Sequence, residues 1–159
     1  MKAERKNRNR GYQKLWVWSD AIELYCMTRR VTKGWPFEMS RTASQAIASA
    51  DSFHRNIAEG YCRRSIKEYI QFLYFALGSL GESVSGFVAF RAADQISEED
   101  FEEFDALAFK LENGLLKLVE SLERKRDDGD WTDSLVVRET NEIYSASCAD
   151  DSATANRLA

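Results

Sequence analysis

The sequence predicts an all-α protein, an antiparallel up-down-up-down four-helix bundle with a flexible N-terminal arm and an acidic C-terminal tail. Three observations predict it. Apolar residues recur at intervals of three and four over long stretches, which lines them up on one side of a helix. Pro36 is the only proline in 159 residues, so little interrupts those stretches by removing a backbone donor. Stop and start signals at Gly34–Pro36, Gly60–Ser65 and Ser97 divide the pattern into four helices. The chain is long enough for one domain with a real core, and 44% hydrophobic content excludes disorder throughout.

Residues 1–11 read as a basic flexible arm, with Lys2, Arg5, Lys6, Arg8 and Arg10 against Glu4 and no apolar period. The bundle is assigned to residues 12–126. Its first helix is expected from Trp16 to Lys33, with Val17, Ala21, Leu24, Thr28 and Val31 on one stripe and Arg29, Arg30 and Lys33 in the last turn. Cations suit that end of the helix dipole. The second helix is expected from Ser40 or Arg41 to Tyr61, with small residues from Ala43 to Ala50 and anchors at Phe53, Ile57 and Tyr61. Small side chains let a neighbouring helix come close.

Ser65-Ile66-Lys67-Glu68 has the spacing of a capping box and opens the third helix, expected to reach Asp94 or Gln95. Ile66, Ile70, Leu73, Leu77, Leu80, Val84 and Phe87 form one seam, and Tyr69, Phe72, Ala76, Ser79, Ser83, Gly86 and Phe90 a second beside it. Both rows need covering, by the same chain or by a second copy. Gly78, Gly81 and Ser85 predict a close helix–helix approach. Ser97 caps the fourth helix, whose stripe runs Phe101, Phe104, Ala108, Leu111, Leu115, Leu118 and Leu122, widened by Leu116 and Val119.

Residues 127–159 read as an acidic, largely disordered tail, with eight carboxylates against Arg138 and Arg157. The tail sets the net charge of −4, because residues 1–126 hold 20 basic and 18 acidic side chains. Overall acidity therefore does not exclude a nucleic-acid partner. No apolar run is expected to reach the length of a membrane span, and the basic N-terminus is not followed by the apolar core of a signal peptide. Cys26, Cys62 and Cys148 are scattered and odd in number, which fits a reducing cytoplasm.

No catalytic constellation, metal site or cofactor motif is expected. Asp51-x-x-His54 has the spacing of half a di-metal motif, but His54 is the only histidine. Asn56, Glu59, Gly60, Ser65, Glu68 and Glu82 are read as structural, locking the joint between the second and third helices.

The order and spacing of Asn56-Ile57-Ala58-Glu59-Gly60, Arg63, Ser65-x-x-Glu68, Phe72-Leu73 and Ala76-x-Gly78-Ser79-Leu80-x-Glu82 resemble the proteins encoded in intervening sequences of bacterial 23S ribosomal RNA genes. Leu15-x-Val17-Trp18, Ala21, Trp35-Pro36, Glu38 and Gln45 agree. The resemblance covers residues 12–124. It implies a four-helix bundle assembled as a homopentamer, and a similarity to the retroelement accessory protein Avd, which binds nucleic acid and works with a reverse transcriptase. The family often carries an Arg pair after Gln45, where this chain has the uncharged run Ala46–Ala50.

Two functions are expected from these readings. One is a non-enzymatic oligomer that binds an RNA or DNA backbone. Its candidate contacts are Arg5, Lys6, Arg8, Arg10, Arg29, Arg30, Lys33, Arg63, Arg64 and Lys67. The alternative is an accessory module for a reverse transcriptase or another mobile-element enzyme.

Overall fold

A computed structural model describes residues 11–63 and 65–130. The expected arm (apart from Gly11), Arg64 and the tail beyond Asp130 lie outside the described residues. Four helices follow in order: α1 (Trp16–Thr32), α2 (Ser40–Tyr61), α3 (Ile66–Ala92) and α4 (Glu98–Asp127). Short 3-10 turns at Gly11–Lys14 and Phe37–Met39 lead into α1 and α2. Helix ends fall within a residue or two of those expected, the ordinary scatter of a frayed terminus. α3 ends at Ala92, and two residues further on Asp94 takes a left-handed φ of 54°, with the Gln95 N–H donating back to the Phe90 carbonyl at 2.8 Å.

The helices stand at the corners of a square. α1 and α3 each pack on α2 and α4, and the diagonal pairs do not meet. Neighbours run antiparallel. Tyr74 near the start of α3 reaches Glu123 near the end of α4, and Phe87 of α3 stacks on Phe104 of α4 with ring centroids 3.5 Å apart. The core holds Leu24, Phe53, Ile57, Leu73, Phe87, Phe104, Leu111 and Leu115, all fully buried. Burying each such side chain is worth about 1.5–3 kcal/mol.

Both expected α3 rows are covered within the one chain, the second mainly against α2. Small side chains bring α2 and α3 together. Ala50 is fully buried, and the Ser79 hydroxyl donates to Ser52 Oγ across the interface at 3.0 Å. Buried Thr28 and Thr32 donate to carbonyls one turn back, at 2.9 and 2.8 Å, so neither hydroxyl is left without a partner.

Four expectations are corrected. Ser65 occupies the N-cap position of α3 in extended conformation, but its side chain makes no cap hydrogen bond. Glu68 lies instead 4.0 Å from the Arg63 guanidinium, which draws it away from the box. Ser97 does cap α4, accepting from the Asp100 N–H at 3.1 Å. Second, Gly78 and Gly81 make no close approach inside the chain, since a Cβ at either would meet nothing within 4 Å. Third, Leu116 does not widen the core stripe; it is 46% exposed.

The fourth concerns length and hydropathy. By those measures alone, α3 is long and apolar enough to cross a membrane. Its Gly and Ser residues break the apolar run without adding charge. Nine of its side chains are buried in the bundle.

Candidate nucleic-acid interface

Antiparallel packing gives the bundle two poles. At the first, α1 and α3 end while α2 and α4 begin. At the second lie the α2–α3 turn, the start of α1 and the end of α4. The candidate cations divide between them. Arg29, Arg30 and Lys33 are at the first pole, and Arg63 and Lys67 at the second. A helix of the length of α2 spans about 33 Å, so these groups do not form one patch in a single chain.

At the first pole, Arg30 is neutralised. Its guanidinium lies 2.5 Å from Glu103 and 3.5 Å from Asp100, and the hydrogen bond to Glu103 pushes its pKa further up. Glu98, Glu99 and Asp100 crowd the first turn of α4, where carboxylates suit the helix dipole. Arg29 and Lys33 are exposed and make no ion pair among the described residues. Arg41, at the start of α2, is a further exposed cation of this pole, and its place in the first helical turn was the signal for it.

At the second pole, Arg63 is a structural clasp. It pairs with Glu59 one turn back, approaches Glu68 at 4.0 Å and lies 4.7 Å over the Phe72 ring. This joins the end of α2 to the start of α3. Gly60 belongs to the same joint, because a Cβ there would stand 2.8 Å from Phe72 Cβ. Asn56 donates to Ser52 Oγ at 3.1 Å within α2, so it supports the helix and does not span the turn.

Glu82 does not lock this joint. It is exposed and lines a groove of about 280 Å³ with Thr42, Gln45 and Ser49 from the opposite half of α2.

Lys67, at the second pole, is exposed and makes no ion pair among the described residues. The last turn of α4 adds Arg124, Lys125 and Arg126. Arg124 approaches Glu120 at 3.4 Å and Arg126 approaches Asp127 at 2.9 Å. None of these three cations is among the contacts expected from the sequence. The arm is rooted here as well. Tyr12, one residue past Gly11, packs edge-on against Tyr61 with centroids 6.3 Å apart. Arg5, Lys6, Arg8, Arg10 and Arg64 lie outside the described residues.

The His54 Nε2–H donates to the Asp51 carboxylate at 3.2 Å, and the ring meets the Tyr25 ring edge-on. Burial pushes its pKa below the ordinary value, with Asp51 opposing the shift. Burial also pushes the Tyr69 hydroxyl well above the usual tyrosine range. Among the described residues, no group of three or more His, Cys, Asp or Glu side chains gathers to hold a metal.

Fold and poles together define a helical-bundle protein with charged ends and a tightly clasped α2–α3 hairpin. The chain belongs to the 23S rRNA-intervening sequence protein family, whose model matches residues 13–117. A crystal structure of a protein of unknown function from the S23 ribosomal protein family, from Bacteroides thetaiotaomicron, is similar in fold. Its TM-score is 0.57 at 18% identity, covering 66% of this chain and 96% of that one. No curated protein matches the chain.

Proposed function

We propose that this protein is a non-enzymatic, self-assembling helical bundle that holds a nucleic-acid backbone at its second pole, in the cytoplasm. One observation carries the reading: the root of the basic arm and two exposed cations without an ion pair among the described residues, Lys67 and Lys125, share that pole. Phosphate contacts from such a set are electrostatic and carry no base readout. Arg63 and Arg30 contribute little, because carboxylates already occupy them. Each copy offers few free cations, so assembly into a ring, the homopentamer of the family resemblance, raises avidity by repeating them.

The experiment is a titration of the full chain with mixed-sequence RNA and single-stranded DNA at rising salt. Binding at low salt that weakens steeply with salt supports the reading. Absence of binding at low salt, or binding indifferent to salt, overturns it.

A second reading is favoured by the outer face of α3, which is exposed and carries Glu82 as its one charge between Gln71 and Ala89. In it the bundle is an accessory module for a protein partner, such as a reverse transcriptase or another mobile-element enzyme. Co-purification with a neighbouring-gene product, without nucleic acid, distinguishes it.

A further inference from the structure

Among the described residues, most of the outer face of α3 is left uncovered, and only Tyr74 at its edge reaches across, to Glu123 of α4. Gln71, Tyr74, Phe75, Gly78, Gly81, Glu82, Ser85, Val88 and Ala89 are all exposed, and Glu82 is the only charge among them. A solvent-facing helix surface is ordinarily charged. Each of the two glycines costs the helix about 1 kcal/mol against alanine, and no contact within the chain requires either one.

α4 shows the reverse relief. Phe109 is 66% exposed and Leu116 is 46% exposed, projecting from a face otherwise rich in charge. The spacings match. Phe109 and Leu116 are seven residues apart, as are Gly78 and Ser85. Both intervals span about 10.5 Å of helix.

We propose that the α3 face of one copy receives α4 of a second copy, with Leu116 seated over Gly78 and Phe109 over Ser85. The assignment rests on the self-assembling reading above and names its surfaces. Knobs of one helix filling hollows of another is the general rule of helix packing. The contact is antiparallel, since α3 and α4 run in opposite directions in every copy whose bundle axis is shared.

In that orientation the polar groups also meet. Glu82 follows Gly78 by four residues and Asn113 follows Phe109 by four. The two then fall on the same side of the contact, within about one residue's rise. The Asn113 amide, which now donates to the Phe109 carbonyl at 2.9 Å, retains a second N–H for the Glu82 carboxylate. Lys117 beside Leu116, exposed and without an ion pair among the described residues, adds a charge of the right sign.

A lipid surface fits the same face less well, because a carboxylate at its centre is costly in hydrocarbon. The two faces differ, so the contact is heterologous and closes as a ring when its rotation closes.

The test is the mass of the full chain by light scattering across a concentration series, with Ser85→Arg and Phe109→Glu. Both positions are exposed, and circular dichroism checks that each variant folds. The expected result is an oligomer for the unaltered chain and a monomer for each variant. Mixed, the two variants retain one good α3 face and one good α4 face. They are expected to form a dimer and stop there.

Variants that assemble like the unaltered chain overturn this assignment alone, as does a mixture that stays monomeric. An unaltered chain that is monomeric throughout overturns self-assembly as well, whether or not it binds neutral-lipid vesicles. The salt titration judges nucleic-acid binding independently.

Discussion

Gly60 and Phe72 approach so closely that a methyl group on residue 60 would stand 2.8 Å from Phe72 Cβ, with Tyr69 at 3.0 Å. The turn from α2 into α3 is thus closed by backbone against side chain. Gly60→Ala forces Phe72 or the helix end to move. Overpacking of this kind costs about 1–3 kcal/mol. A urea-unfolding midpoint unchanged from the parent would contradict it. Gly78→Ala, in open space, is expected to be neutral or stabilising in a monomer.

The stacked pair Phe87 and Phe104 joins α3 to α4 at the centre of the core. Phe104→Ala leaves a cavity beside Phe87 and is expected to cost about 3–5 kcal/mol. Thermal unfolding followed by circular dichroism measures it. Phe109→Ala, on the same helix but exposed, is expected to leave the unfolding of a monomer nearly unchanged.

Two serines at N-cap positions behave differently. Ser97→Ala removes a real acceptor for the Asp100 N–H, at a cost of about 1 kcal/mol. Ser65→Ala removes a hydroxyl that caps nothing and is expected to cost less. Equal losses of stability in the two variants would mean that the Ser65 cap forms in solution.

His54 gives the fold a pH dependence. Its folded pKa is depressed by burial below the ordinary 6.5, so the unfolded chain takes the proton first. The contribution is fully present above about pH 6.5 and is lost as pH falls through the folded value. Asp51 and Arg55 face the ring and act in opposite directions on it. His54→Gln is expected to flatten the fall in unfolding midpoint between pH 7.5 and pH 5. A slope identical to the parent's would assign the acid sensitivity to other groups.

Among the cations, ion pairing separates those able to bind phosphate from those committed to the fold. Lys67→Ala is expected to weaken binding equally for all sequences and to reduce the salt slope by about 1 for each copy. Arg30→Ala is expected to leave that slope unchanged, and to cost at most about 1 kcal/mol of stability because its ion pair is exposed. Fluorescence anisotropy at several salt concentrations reads both. A larger effect from Arg30 than from Lys67 would reverse the assignment of the pole.

Much of the fold was legible because it depends on local pattern. Leu73, Phe87, Phe104 and Leu111 lie on three-and-four spacings that any helix converts into a face. Pairing of Glu59 with Arg63 was legible for the same reason, one helical turn apart.

Arg30 was not legible as a neutralised group, because Glu103 lies 73 residues away and meets it only through the α1–α4 contact. The Ser65 box was misjudged because the motif specifies two partners while Arg63 offers Glu68 a third. Glu82 falls inside the family motif in sequence, yet α3 carries it several turns away from the joint. Nothing local distinguishes a glycine that admits a neighbour in the same chain, as Gly60 does, from one that leaves a hollow outside it, as Gly78 does.

The shared root of both termini has a directional consequence. Tyr12 on one side and Asp130 on the other leave the chain at the same pole. In the ring proposed above, each copy therefore presents the roots of both termini, Tyr12 and Asp130, on one rim. The opposite rim, where α1 joins α2 and α3 joins α4, is then the side on which such a particle is tethered or labelled away from both roots.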